Sequence, residues 1–222
     1  MGTAIAGQKV QGVCINGTVL KGACQNGTVF YKKATVSVAL TNLIENGSFE
    51  DGGVSGWNIS GGSISRVAVS SPTHGEFGSA CAHIQQTVNG TVSISIASAL
   101  VPTTVIGNIY YLRARTRYSS NGYANVAQFR NNAALIGTSV TMTLNTWALL
   151  DMLWTATNAS LPLYIQFTGG NGNQQRMVQA DNIMLIDLTS AFGAGQEPAL
   201  ADIREAVNAA GGWWDGAKTI SV

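Results

Sequence analysis

Ile109-Tyr110-Tyr111-Leu112-Arg113-Ala114-Arg115-Thr116-Arg117-Tyr118 alternates along its whole length. Tyr110, Leu112, Ala114, Thr116 and Tyr118 fall on one side of an extended chain, and Ile109, Tyr111, Arg113, Arg115 and Arg117 on the other. A period of two is the signature of a β-strand. Outward from this stretch the pattern recurs. Val36-Ser37-Val38-Ala39-Leu40 and Thr91-Val92-Ser93-Ile94-Ser95-Ile96 also alternate, and 147–154, 163–167 and 183–188 are further strand candidates. Gly, Asn, Ser and Pro separate these runs, and no helical pattern lies between them. The expected fold is all-β, an antiparallel jelly-roll sandwich over residues 36–188.

Composition narrows the function classes. The chain has 222 residues, enough for one sizeable core with appendages or for two small domains. Charged residues make up 10%, against roughly 25% in ordinary soluble domains. Hydrophobic residues make up 45%, which excludes a disordered chain. A net charge of +1 offers little attraction to phosphate, so nucleic acid is not an expected partner. A surface this weakly charged repels its neighbours poorly, which suits a protein covered by others in an assembly. The start, Met1-Gly2-Thr3-Ala4-Ile5-Ala6-Gly7-Gln8-Lys9, lacks a basic and then apolar leader, so no signal peptide is expected. No apolar run approaches the roughly 18 residues that cross a bilayer, and no membrane insertion is expected.

Both ends differ from the middle. Gly12-Val13-Cys14-Ile15-Asn16-Gly17-Thr18-Val19-Leu20-Lys21 is followed by Gly22-Ala23-Cys24-Gln25-Asn26-Gly27-Thr28-Val29-Phe30-Tyr31. Asn-Gly between β-prone flanks marks a type I′ hairpin turn. The repeat, to about Lys33, is therefore read as two small hairpins or one meander within a β-hairpin arm, residues 1–35, that is expected to pack on another chain or on the main domain. Cys14 and Cys24 hold equivalent places and could pair or remain free thiols; with Cys81 they are too few for a zinc or disulfide framework. At the other end, residues 189–222 form a short C-terminal helix and an aromatic tail. Pro198 suits the first helical position, Asp202 the positive end of the helix dipole, and Leu200, Ile203 and Val207 recur at helical spacing until Gly211-Gly212. Trp213 and Trp214 either fold back on the sandwich or anchor a partner subunit.

Two resemblances follow. Asn42-Leu43-Ile44-Glu45-Asn46-Gly47-Ser48-Phe49-Glu50, with Gly56-Trp57 shortly after, resembles the entry motif of carbohydrate-binding-module jelly rolls. Ile109 to Arg115, Thr146-Trp147 and Ala180-Asp181-Asn182-Ile183 with Leu185 are similar to that family's middle, Trp-led and closing strands, so the resemblance spans residues 40–188. Asp187-Leu188-Thr189, Phe192-Gly193-Ala194-Gly195-Gln196-Glu197-Pro198 and Gly212-Trp213-Trp214-Asp215-Gly216 resemble the segment that follows such jelly rolls in structural proteins of tailed bacteriophages.

The first resemblance implies a structural Ca²⁺ held by Glu50 and Asp181; alternatively both carboxylates are capped by backbone N–H groups or paired with arginine. Arg113, Arg115 and Arg117, with Tyr111 beside them, either grip an acidic sugar or a neighbour's carboxylate, or form a solvated face pairing locally. Trp57, Trp147 and Trp154 are a sugar platform or core residues, and His74 and His83 have no zinc-like spacing. Cys14, Cys24, Phe30, Tyr31, Trp213 and Trp214 are the expected assembly anchors. No nucleophile elbow, P-loop, paired-His metal motif or dinucleotide fingerprint is present, and no enzyme is expected. The resemblances together imply a non-enzymatic component of a tailed-phage virion (tail, baseplate, neck, head decoration or fibre), assembled in the host bacterial cytoplasm. Its partners would be other virion proteins, further copies of itself, most simply in a trimer, and a host-surface glycan. The alternative is a carbohydrate-binding module of a glycan-active enzyme or adhesin.

Overall fold

A computed structural model describes residues 36–222 apart from 52, 69–77, 87–90, 97–99, 119–124, 132–133, 160–162 and 169–176; before residue 36 it describes the backbone of six short strands. The chain divides into a small unit, Met1–Ser37, and a large one, Val38–Ile220. In the small unit β1 (Thr3–Ile5) pairs with β2 (Gln8–Val10), β3 (Val13–Ile15) with β4 (Thr18–Leu20), and β5 (Gly22–Gln25) with β6 (Thr28–Tyr31), all antiparallel. Two of these hairpins fall on the 12–31 repeat, and the third, β1–β2, precedes it. This third one has Ala6-Gly7 where the others have Asn-Gly, and no cysteine, so the sequence repeat hides it. The Asn16-Gly17 and Asn26-Gly27 turns, and the side chains of Cys14, Cys24, Phe30 and Tyr31, lie outside the described residues, as does His74.

The large unit is a jelly-roll β-sandwich. One sheet runs β15 (Ala148–Thr155), β12 (Ile109–Tyr118), β17 (Met177–Asp187), β10 (Ala80–Gln86), β9 (Gly62–Ala68), with β7 (Ser37–Asn42) and β18 (Gly216–Ser221) joined beside β17. The other runs β14 (Ala134–Met142), β13 (Asn125–Asn131), β16 (Leu163–Thr168), β11 (Val92–Ile96), β8 (Trp57–Ser60). Strands pair antiparallel, and the chain passes back and forth between the sheets. The alternating side chains meet between them: Tyr110, Leu112 and Ala114 from β12 pack with Val92 and Ile94 from β11, Phe129 from β13 and Ile165 and Phe167 from β16. Each fully buried large apolar side chain of this kind contributes roughly 1.5–3 kcal/mol before entropy is charged against it.

The two sheets differ on their outer faces. Along β16 buried and half-buried residues alternate strictly, so one face is covered and the other open. Along β17 all nine residues between its two ends are buried, so both faces are covered. The second layer over β17 and β12 is the C-terminal segment. α1 (Leu188–Phe192) is capped by Asp187, whose side chain accepts from the Ser190 N–H, and α2 (Leu200–Ala209) buries Ile203, Ala206 and Val207. These pack with Leu40, Tyr111, Met184, Ile186, Trp214 and Ile220 in a second apolar cluster.

Two expectations about this segment are corrected. Helix α2 starts at Leu200 with Ala199 as its N-cap in extended conformation, so Pro198 lies just outside it rather than at its first position. Trp214 is only 6% exposed and Trp213 packs on the same cluster, so the tryptophans fold back on their own chain instead of standing out for a neighbour. The Asn42 side chain joins the pieces. Its Nδ2 donates to the Trp214 carbonyl at 3.0 Å, and its Oδ1 accepts from the N–H groups of Ile44 at 3.2 Å and Leu185 at 3.0 Å. Trp214→Ala is expected to destabilise the protein by about 3–5 kcal/mol in chemical denaturation. A loss near zero would show that the tail is not part of the core.

Candidate functional site

The arginine ladder lies on the outer face of the first sheet, but that face is not open. Arg113 is fully buried: its Nη2 donates to Asn208 Oδ1 of α2 at 2.8 Å and its Nη1 to the Tyr111 hydroxyl at 3.3 Å. The Tyr111 hydroxyl donates to Asp151 Oδ2 at 3.0 Å, and Arg204 of α2 closes the array with two bonds to Asp151, at 2.7 and 2.8 Å. Burial pushes the Tyr111 phenol up to about 12, so it keeps the proton it donates. Arg117 is 3% exposed with its guanidinium over the Trp147 ring, and Arg115 is half-buried opposite Asp181. The expectation of a solvated or glycan-gripping arginine face is corrected for Arg113, Arg117 and Tyr111. The helix and tail that cover Arg113 and Tyr111 come from sequence far from β12, and alternation alone cannot reveal such a cover.

The Glu50 carboxylate receives three donors. Oε1 accepts from the N–H groups of Ser79 at 2.7 Å and Ala80 at 2.8 Å, and Oε2 from the Ser79 hydroxyl at 2.6 Å. Gly78, at φ +109°, lets the carboxylate come this close, because a Cβ there would strike Oε1. Arg66 stands nearby and donates from Nε to the Phe49 carbonyl at 2.6 Å. Asp181 is buried, its Oδ1 accepting from the Asn182 N–H at 2.7 Å. The Ser48 hydroxyl and both ends of the Asn182 carboxamide are buried without a hydrogen-bond partner among the described residues. Cys81 lies in the same region, and burial pushes its thiol up to about 12, so it is an inert core thiol.

The tryptophans are spoken for. Trp57 packs on Phe49 with ring centroids 5.2 Å apart, and Trp154 on Tyr110 at 5.8 Å. Two clefts also open on the surface. One, of about 300 Å³, is lined by Glu45, Asn46, Asp51 and Leu100; the other, of about 400 Å³, by Thr41, Val105, Tyr110 and Asp187. In the second, both Asp187 oxygens are held by Asn108 and Ser190.

The outer face of the second sheet offers a different surface. Its register sets Asn58, Ser95, Tyr164, Arg130 and Leu135 in one row across five strands, and Ser60, Ser93, Gln166 and Gln128 in the next. At the usual strand spacing the first row spans roughly 19 Å. Asn58, Ser60 and Leu135 are exposed, and the other members are half-buried. Gln166 Oε1 accepts from Gln128 Nε2 at 2.8 Å and from Arg130 Nη1 at 3.2 Å, which fixes three adjacent side chains. Fixed amides and hydroxyls beside one tyrosine ring make a flat, hydrogen-bonding platform. The strands β11 and β16 were legible in the sequence, but nothing in their residues marks their polar face as the uncovered one.

No protein-family model matches the chain, and no curated protein matches it. Solved structures similar in fold include the carbohydrate-binding module TmCBM61 in complex with β-1,4-galactotriose, at 15% identity and TM-score 0.46, covering 66% of this chain and 98% of that one. The CBM22-1 xylan-binding domain of Paenibacillus barcinonensis Xyn10C matches at 12% identity and TM-score 0.47, covering 68% and 91%. The enzymatically active domain of bacteriophage CBA120 tailspike protein 4 matches at 13% identity and TM-score 0.45, over 65% of this chain and 21% of that one.

Glu50 yields a pH prediction. Burial pulls its carboxyl up, but the bonds from Ser79 and Ala80, with Arg66 nearby, outweigh this and hold it below the ordinary value. A carboxyl lowered in the folded state contributes stability above its unfolded pKa of about 4.3, and that stability is lost as pH falls through the folded value. Glu50→Gln is therefore expected to flatten the acid limb of a stability–pH curve. With three donors in place, melting curves in calcium and in EDTA are expected to coincide; a higher melting temperature in calcium would contradict this.

Proposed function

We propose that the chain is a non-catalytic glycan-binding β-sandwich, and that the outer face of β8, β11, β13, β14 and β16 is its binding surface. The observation that carries this is the contrast between the sheets. One is covered on both faces along β17, while the other presents Tyr164, Gln128, Gln166, Arg130, Asn58 and Ser95 in ordered rows. Sugars are bound by hydrogen bonds to their hydroxyls and by stacking of their apolar faces on aromatic rings, and this surface supplies both. Tyr164→Ala is expected to weaken glycan binding about tenfold, the effect of about 1.4 kcal/mol, with the melting temperature little changed. A glycan array read with the wild-type chain and this variant tests it. Equal binding by both would move the site elsewhere.

We propose as a second reading that this sandwich is a structural component of a tailed-phage virion, held through its hairpin arm. Two-stranded hairpins cannot bury a core by themselves, and the arm consists of three of them among the described residues. The phage-like segment from Asp187 to Gly216 supports the same reading. On it, the arm associates with other virion proteins or with two further copies of the chain, and the sandwich faces host-surface glycans. The chain is then expected among the proteins of purified particles by mass spectrometry. Its absence there would leave the alternative, a carbohydrate-binding module of an enzyme or adhesin.

A further inference from the structure

We propose that the platform takes a glycan by a pair of adjacent, unsubstituted hydroxyls, and that Gln128 and Gln166 recognise that pair. This rests on the glycan-binding reading above and narrows it to a substrate class. Gln128 and Gln166 stand directly opposite each other on β13 and β16. Gln166 Oε1 accepts from Gln128 Nε2 at 2.8 Å and from Arg130 Nη1 at 3.2 Å. A guanidinium only donates, so the Gln166 atom that meets Arg130 must be the oxygen, and the Gln128 atom that meets this oxygen must be the N–H. Arg130 thereby sets which way round both carboxamides lie. Their other ends, the acceptor Gln128 Oε1 and the donor Gln166 Nε2, have no partner among the described residues. Both side chains are half-buried, and both of these atoms are open to solvent.

An open acceptor beside an open donor fits two neighbouring hydroxyls. One donates to Gln128 Oε1 while the other accepts from Gln166 Nε2. An ether or ester oxygen brings no proton, so a substituted hydroxyl sets one acceptor against another at Gln128. The local backbone leaves room there. On β14, Val140 pairs with Ala127 and Ile136 with Phe129, so Gly137, Thr138 and Ser139 occupy the stretch where one residue would match Gln128. All three are exposed, and none pairs with Gln128. Bulges of this kind interrupt a ladder where a side chain has to be re-aimed. Tyr164 lies two residues from Gln166 on the same face of β16, roughly 7 Å along the strand. A sugar stacked on that ring brings its hydroxyls within reach of the two glutamines.

The test uses the full chain on an array of oligosaccharides, each printed beside a form whose adjacent hydroxyls carry O-methyl groups, followed by calorimetric titration of the strongest pair. The free form is expected to bind about tenfold to a hundredfold more tightly, because a methyl ether cannot donate to Gln128 Oε1. Gln128→Met, which keeps the reach of the side chain and loses the acceptor, should shrink that preference towards parity. Arg130→Met should shrink it too, by letting the Gln166 carboxamide turn over, whereas Arg130→Lys, which still donates, should keep it. A preference that survives Gln128→Met undiminished would come from methyl bulk alone and would overturn the assignment. The wild-type comparison needs no variant, so a folding defect in one cannot hide the answer. Equal binding of free and methylated forms would overturn the hydroxyl-pair reading and leave the glycan-binding reading standing. No binding to any member of the array would overturn both.

Discussion

The Asp151 carboxylate is 4% exposed, and a carboxylate that deeply placed is costly unless hydrogen bonds replace its lost water. Arg204 supplies two and the Tyr111 hydroxyl a third. Tyr111 in turn accepts from Arg113, and Arg113 donates onward to Asn208. The array therefore pins α2 by Arg204 and Asn208, one turn apart, to β12 and β15. Around it, Ile203, Val207 and Trp214 close over Met184 and Ile186. Apolar packing supplies most of the attraction; the polar array sets where the helix must sit, because a slipped helix would strand buried charges. This cover closes the outer face over β12 and β17, while the β16 strand of the other sheet keeps its outward side chains half-buried.

That division of labour shows in composition. Charge is scarce in the chain, yet Arg113, Arg115, Arg117, Asp151 and Asp181 gather on one sheet, several of them buried. The other sheet keeps Ser, Thr, Asn and Gln on its outward positions and only one charged residue. A sheet face made of neutral donors and acceptors stays hydrated at low energetic cost and exchanges its water for sugar hydroxyls without a large desolvation penalty. Arg113 joins the helix to the sheet from within, while the outward side chains of β16 stay half-buried.

The strands were legible because their signal is local. Ile109 to Tyr118, Val92 to Ile96 and the 163–167 run alternate on their own sequence, and each forms a strand. The helix from Leu200 was legible for the same reason, apart from its first turn, where the extended backbone of Ala199 delays the start past Pro198. What could not be read was which sheet face the helix would cover. Arg113 meets Asn208, 95 residues away, and Asn42 meets the Trp214 carbonyl, 172 residues away. An alternating Tyr-Arg strand looks the same whether its polar side meets water or a helix. The three-donor cap on Glu50 was likewise hidden, because Ser79 and Ala80 reach it through folding and through the room that Gly78 leaves.

The central claim is that recognition happens on the open sheet and not on the covered one. Amide chemical-shift mapping of the full chain, titrated with a mixed library of acidic and neutral oligosaccharides, addresses it directly. The account predicts that perturbed amides cluster at Asn58, Ser93, Ser95, Gln128, Arg130, Tyr164 and Gln166. Perturbations centred on α2, on Arg115 and Arg117, or on the clefts at Leu100 and Val105 would contradict it, as would a spectrum that does not change at all.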